Sequence, residues 1–221
     1  MSIKTVLFDL DGTLIDTAPD LADALNFTLR KNNYPVLSLE QIRPHVSNGS
    51  IALVEFGFNI DSTNQNFEHY RNELLDYYTE NIANKSRLFP EFNEVLETIE
   101  TRGLNWGIVT NKPSYLTIPL LKKLNLEQRA ATIVSSDTLE FRKPHPAPML
   151  HACKEAGSKP SECIFIGDAQ RDVEAGINAK ITSLVALFGY IGNNDNPKNW
   201  GADGYIHCAS DIIDYLDNFS G

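Results

Sequence analysis

Cysteine is scarce. Cys153, Cys163 and Cys208 are the only three in 221 residues, and they form neither a CxxC pair nor a metal-ligand spacing, so no thiolate metal centre is expected. Cys163 opens the apolar run Cys163-Ile164-Phe165-Ile166 and reads as a small core residue. No stretch approaches the roughly 20 consecutive apolar residues of a membrane helix. The N-terminus, Met1-Ser2-Ile3-Lys4, leads into a short apolar run without the long h-region and small-residue cleavage site of a signal peptide. A cytoplasmic chain with no membrane partner is expected. Basic charge is also in deficit: 19 Lys and Arg stand against 29 Asp and Glu, a net charge of −10. Without a basic stripe to neutralise a phosphodiester backbone, nucleic acid is not an expected partner. Internal repeats and low-complexity tracts are absent. An acidic chain that handles an anion must supply positive charge locally, from a metal ion, a few placed Lys or Arg, and backbone N–H groups.

What is present is ordinary for a globular chain, 42% hydrophobic and 22% charged, long enough for one good core and a modest second domain. Residues 3–8 are a β-rich apolar run ending at Asp9 and predict a buried strand. A helix follows, with Thr17 as N-cap, Asp20 completing a capping box, Pro19 in the first turn, and Leu21, Leu25 and Leu29 along one face. Helices are predicted over 38–44, 48–56 and 67–82, with no strand interrupting 18–84. From Pro90 the pattern changes. A helix carrying Phe92, Val95, Leu96 and Ile99 stops at Gly103, and strands (104–109, 133–135, 163–166, 183–187) then alternate with helices (114–124, 147–156, 171–178, 211–216). Such alternation predicts an α/β fold, a doubly wound, Rossmann-like parallel sheet. The all-helical stretch becomes an insertion. The expected boundaries are a core from 1–16 and 86–221 and a helical cap at 17–85. The segment 189–199, rich in Gly, Asn and Pro, reads as a surface connection.

Ligands in an open parallel sheet bind at the carboxyl ends of the strands, and here those ends carry Asp9, Thr110-Asn111 and Gly167-Asp168. Asp9-Leu10-Asp11-Gly12-Thr13 is compatible with an Asx-type turn in which Gly12 supplies a special backbone angle. A chemical reading gives each carboxylate its own role. Asp9 attacks phosphorus, Asp11 protonates the leaving oxygen and then deprotonates water, and the loop N–H groups face the phosphate. Asp168 and Asp172 offer oxygen ligands of the kind a hard divalent ion takes, although Asp172 in a first helical turn also complements the helix dipole. The Thr110 hydroxyl and the following N–H suit a phosphate oxygen. Lys143, flanked in Arg142-Lys143-Pro144-His145-Pro146, is placed rigidly enough to pair with the nucleophile and the transferring phosphoryl group.

These motifs, in this order, resemble the haloacid dehalogenase superfamily in its phosphatase branch. Asp9-Leu10-Asp11-Gly12-Thr13-Leu14 matches the first motif, Thr110 the second, Lys143 the third, and Gly167-Asp168 with Asp172 the fourth. The resemblance implies an aspartyl-phosphate mechanism, a mobile helical cap, and Mg²⁺ held by Asp9, the Asp11 backbone carbonyl and Asp168, with Asp172 directly on the ion or one shell out. The second Asp separates phosphatases and mutases from the dehalogenases. Asp16-Thr17-Ala18-Pro19-Asp20-Leu21, Val109-Thr110-Asn111-Lys112-Pro113 and Lys143-Pro144-His145-Pro146 are similar to the phosphoglycolate phosphatase group. Arg43-Pro44-His45-Val46-Ser47-Asn48-Gly49 and Ala186-Leu187-Phe188-Gly189-Tyr190 resemble a close branch, the bacterial N-acetylmuramic acid 6-phosphate phosphatases.

The expected substrate is therefore a small phosphorylated metabolite, and the chain a monomer or a homodimer. Gly12, Thr13, Thr110, Asn111 and Lys112 are candidates to hold its phosphate. In the cap, Asn48 and Gly49 precede an apolar helix and can present N–H groups, and Arg43 can read a carboxylate bidentately; Arg43 equally suits a surface position near a helix end. His45, between Pro44 and Val46, reads as structural or exposed rather than catalytic. A sugar phosphomutase shares the aspartyl-phosphate and would isomerise a sugar phosphate without releasing phosphate. A response-regulator-type switch also combines Asp, Thr and Lys, but is shorter and lacks a helical insertion after the first strand.

Overall fold

The apolar runs without polar alternation become strands covered on both faces. In the computed structural model, which describes residues 2–192 and 195–218, the chain forms β1 (Thr5–Phe8), β2 (Ile15–Asp16), a helical insertion, β3 (Arg87–Leu88), and then β4 (Asn105–Val109), β5 (Thr132–Val134), β6 (Cys163–Gly167), β7 (Thr182–Ala186) and β8 (Gly204–Ile206). Six of these make one parallel sheet in the order β5-β4-β1-β6-β7-β8. Helices α5 (Phe92–Thr101), α6 (Ser114–Lys123), α7 (Ala147–Glu155), α8 (Gln170–Ala179) and α9 (Asp211–Asn218) connect and cover it. Phe8 packs edge to face on Phe92, ring centroids 5.6 Å apart.

The register decides where chemistry can occur. Phe8 stands beside Ile108 of β4 and Ile166 of β6, so the residues that follow these three strands emerge together. The strand order reverses at β1, and that switch point is where a ligand crevice opens.

The insertion holds α1 (Ala18–Lys31), α2 (Leu39–Ile42), a 3₁₀ turn (Arg43–Asn48), α3 (Gly49–Phe58) and α4 (Phe67–Glu80). Leu21, Leu25 and Leu29 are buried as their spacing predicts. The helix expected over 38–44 stops earlier, because Pro44 has no N–H to continue the ladder, and the chain tightens into the 3₁₀ turn. Ser38 and Gln41 form a capping box ahead of it.

The capping box expected at Thr17 and Asp20 does not form. Thr17 has helical backbone angles and makes no side-chain cap; its hydroxyl donates to Asp11 Oδ1 at 2.6 Å. The free N–H of Ala18 donates to the Tyr190 hydroxyl at 2.9 Å. Buried Asp20 accepts from the N–H groups of Lys85 and Ser86, both at 2.8 Å, and from the Ser86 hydroxyl at 2.6 Å. It therefore ties the returning linker to the start of α1, next to the antiparallel pair β2–β3, where Ile15 faces Leu88 and Asp16 faces Arg87. Two-residue strands have no periodicity for a sequence reading to detect. Asp20→Ala is expected to cost about 2–4 kcal/mol, because it strands buried donors facing a charged acceptor. A urea titration showing a lower midpoint at unchanged slope checks this.

Candidate active site

Asp9 continues β1, and its N–H donates to Ile166 O at 2.8 Å, so the sheet ladder itself fixes the nucleophile candidate. Lys143 reaches it from the loop before α7. Its Nζ lies 2.9 Å from Asp9 Oδ1 and 2.7 Å from Asp172 Oδ1, with all three side chains buried. These contacts are ion pairs without hydrogen-bond alignment: Asp9 Oδ1, Lys143 Nζ and Asp172 Oδ1 have no hydrogen-bond partner. Asn111 holds the lysine in place. Its amide donates to Lys143 O at 3.0 Å and accepts from Lys143 N at 3.1 Å. The phosphate contact expected at Asn111 is its backbone N–H, and its side chain is engaged on the Lys143 backbone.

Asp168 follows β6 and is buried. Its Oδ2 accepts from Tyr190 N and from the Ser47 hydroxyl, both at 2.8 Å, and the Thr13 hydroxyl donates to its Oδ1 at 3.4 Å. Two glycines make room for it. A Cβ on Gly12, whose φ is +88°, would lie 2.2 Å from Asp168 Oδ2, and one on Gly189 would lie 2.3 Å from Asp168 Cβ. Burial, and then the neighbouring Asp9 and Asp172 carboxylates, push Asp168 up to about 7. Burial also raises Asp172, with Lys143 opposing and Asp9 reinforcing the shift. Oxygens of Asp9, Asp168 and Asp172 all lie within 4.8 Å of one another.

Three buried carboxylates cluster here, two of them, Asp9 and Asp172, on one ammonium, and one oxygen of each of those two lacks a hydrogen bond. That donor set fits a hard divalent cation. The Asp11 side chain stands apart from it. Both of its carboxylate oxygens accept from Lys112 Nζ, at 3.0 and 3.2 Å, and Lys112 also donates to the Tyr78 hydroxyl of α4 at 3.0 Å. Burial alone would lower the Lys112 ammonium, but Asp11 and Tyr78 carry it above its ordinary value. Burial pushes the Tyr78 hydroxyl up to about 12, so it remains neutral. Thr110, buried at the end of β4, receives Lys112 N–H on its hydroxyl at 3.1 Å.

The profile of the haloacid dehalogenase-like hydrolases matches residues 6–186. The chain belongs to the haloacid dehalogenase-like hydrolase family. Within that family it stands among the phosphatases. It is 39% identical over 98% of its length to an N-acetylmuramic acid 6-phosphate phosphatase of Pseudomonas aeruginosa, covering 96% of that protein. It is 40% identical to a phosphoglycolate phosphatase of Xanthomonas campestris, over 90% of each chain. The crystal structure of a predicted phosphoglycolate phosphatase from Haemophilus somnus superposes with a TM-score of 0.85 at 29% identity, over 97% of this chain and 98% of that one.

The cap of this haloacid dehalogenase-like hydrolase reaches the core through its 3₁₀ turn. Ser47 touches Asp168, Asn48 Oδ1 accepts from Arg171 Nη1 at 3.2 Å, and Ser47 O accepts from Arg171 Nη2 at 2.5 Å. Gly49 has φ +77° and open space where a Cβ would stand. Arg43, a candidate carboxylate reader, is paired with Asp16 at 2.7 Å and lies over the Tyr190 ring. His45 stacks on Phe56, in the structural role expected of it.

Sequence reasoning missed Ser47, Tyr78, Arg171 and Tyr190. The start of the supposed surface connection 189–199 is in fact part of the site: Tyr190 is buried, donates its hydroxyl to Asp16 Oδ1 at 2.6 Å and its N–H to Asp168. Residues 193 and 194 of that segment lie outside the described residues. A large aromatic amid Gly and Asn was the available signal. Among the described residues no helix is long and apolar enough to cross a membrane.

Proposed function

We propose that this chain is a Mg²⁺-dependent phosphatase that hydrolyses a small phosphomonoester through an aspartyl-phosphate on Asp9. The observation that carries this reading is the buried Asp9–Lys143–Asp172 arrangement beside Asp168, with a second carboxylate, Asp11, two residues from the nucleophile and held separately.

Asp9 attacks phosphorus, forming an acyl phosphate as the bond to the leaving oxygen breaks. Asp11 delivers the proton that the departing alkoxide needs. In the second half, Asp11 takes a proton from water, the water oxygen attacks phosphorus, and Asp9 leaves as carboxylate with inorganic phosphate released. Lys143 faces the Asp9 oxygen and supports the negative charge that gathers there. Thr110 lies at the same strand end, where its hydroxyl suits a phosphoryl oxygen. Asp9, Asp168 and, next to them, Asp172 are the side chains that would hold Mg²⁺, which when bound offsets the repulsion between carboxylate and phosphate. The contacts at Ser47 and Asn48 set the cap's 3₁₀ turn beside Asp168 and Arg171, where it limits the entry of bulk water during phosphoryl transfer to Asp9.

The relatives' names point to 2-phosphoglycolate and N-acetylmuramic acid 6-phosphate as substrates to compare. Initial rates of phosphate release on both, with Mg²⁺ and with EDTA, test the reading. Metal-dependent release is expected; no release from either, or from a wider phosphomonoester panel, overturns it.

Mg²⁺ binding should depend on pH with a definite sign. Asp168 titrates at about 7 in the fold, above its ordinary range, so in the metal-free protein it favours folding at low pH and that contribution is lost as pH rises through 7. Mg²⁺ must displace the proton. Its affinity is expected to be about tenfold weaker at pH 6 than at pH 8, and the melting-temperature rise it produces correspondingly smaller. Calorimetric titration at the two pH values reads this directly.

A further inference from the structure

A cavity of about 210 Å³ opens between the cap's 3₁₀ turn and the loop joining β6 to α8, with Ser47, Asn48, Asp168, Gln170, Arg171 and Tyr190 in its lining. Asp168 belongs to the carboxylate cluster within reach of Asp9, so the cavity begins one side chain away from the nucleophile. We infer that it is a subsite for the distal part of the substrate's leaving group, beyond the oxygen that Asp11 protonates, and that Arg171 in it binds a carboxylate carried by that part.

The charges around the site single out Arg171. Lys143 is paired with Asp9 and Asp172, Lys112 with Asp11, and Arg43 with Asp16. Arg171 has no ion pair among the described residues. Its two mapped hydrogen bonds go to neutral oxygens, Asn48 Oδ1 and Ser47 O. A guanidinium has five N–H donors in a planar fork, so donors remain after both bonds are made. The two acceptors hold the head in place, which reduces the ordering cost of forming a bidentate contact with a carboxylate. Asp195 also lines the cavity, and its carboxylate accepts from Gly192 N at 3.0 Å. The volume exceeds what a two-carbon acid fills, at about 30 Å³ for each water-sized unit, so a larger hydroxy-acid or sugar-acid moiety also fits.

This inference rests on the phosphatase reading, and its test uses binding so that the two can fail separately. The Asp9→Asn protein, with Mg²⁺, is titrated with two pairs of ligands: 2-phosphoglycolate against ethyl phosphate, which differ by a carboxylate in place of a methyl, and N-acetylmuramic acid 6-phosphate against N-acetylglucosamine 6-phosphate, which differ by a carboxylate-bearing lactyl ether. In at least one pair the carboxylated member is expected to bind about 30-fold more tightly, the size of one charged hydrogen-bonded contact. Arg171→Met, which keeps much of the apolar stem, should erase that preference while changing affinity for the carboxylate-free member by less than about threefold, and Arg171→Lys should restore part of it.

Absence of any preference in both pairs overturns the subsite. So does a preference that survives Arg171→Met, or an equal loss for both members, which marks a purely structural latch between Arg171 and the cap. Failure of the wild-type protein to release phosphate, with the binding preference intact, would instead overturn the phosphatase reading alone.

Discussion

Asp9→Asn is expected to lower phosphate release by roughly 10⁴-fold or more, since loss of a nucleophile removes the covalent route altogether. The same substitution should make the metal-free protein more stable. In the wild-type site three buried carboxylates cluster with one ammonium in contact with two of them, Asp9 and Asp172, and burial and mutual repulsion already raise Asp168 and Asp172. A neutral amide at position 9 removes one like charge and leaves the Lys143–Asp172 pair intact. A gain of about 1 kcal/mol, or roughly 2–4 °C in melting temperature for a chain of this size, is expected in EDTA, and the gain should shrink when Mg²⁺ is added. Substantial turnover in the variant would refute Asp9 as nucleophile. A drop in metal-free stability would show that Asp9 contributes more by its contact with Lys143 than it costs by repulsion.

Lys143→Met is expected to act in the opposite direction on the fold. Lys143 is 2% exposed and, among the described residues, carries the one cation in contact with both Asp9 and Asp172. Removing one partner from a buried charge pair costs about 3–5 kcal/mol, here a fall of roughly 10 °C in melting temperature. Phosphate release should fall about 10²–10³-fold as the positive charge facing the developing anion is lost. Mg²⁺ should recover part of the stability by supplying cationic charge to the same carboxylates. Pairing Lys143→Met with Asp172→Asn separates the two effects: stability is expected to return toward wild type and activity to stay low. A double variant as unstable as the single one would assign the loss to packing over Phe165, whose ring lies 5.1 Å from Nζ.

The residues that carry these effects were legible because strand ends are legible. An apolar run that stops at a carboxylate announces both a strand and the side of the sheet on which its terminal side chain emerges. Three strand ends with complementary chemistry, at Asp9, Thr110 and Asp168, stand out in the chain alone, and Lys143 stands out separately in its Pro-flanked loop. Adjacency across the sheet was not legible, since register depends on long-range pairing that no local window contains. Thr17 and Asp20 show a different failure. Both fit a helix-capping pattern, yet Asp11 and the N–H groups of Lys85 and Ser86 compete for them from outside the helix, and tertiary partners win over a local bond of modest strength. At Asn111, whose N–H is the expected phosphate contact, and at Arg43, the side-chain partners Lys143 and Asp16 are tertiary and not visible in the sequence. Tyr190 was lost because a loop was judged by its average composition.

The β2–β3 ribbon has a consequence for how the helical cap can move. Two independent tethers would leave such a body free to shift, tilt and twist over the core. Here the outgoing and returning segments are laced together, Ile15 against Leu88 and Asp16 against Arg87, and Asp20 fastens the returning chain to the first turn of α1. A cap swinging on this laced pair would be confined close to one axis. Any such swing that parts Ser47 from Asp168 would also part Asn48 from Arg171, as a door latch and its frame separate together. Two-residue strands, too short to show in the sequence, would then set the position to which the lid returns.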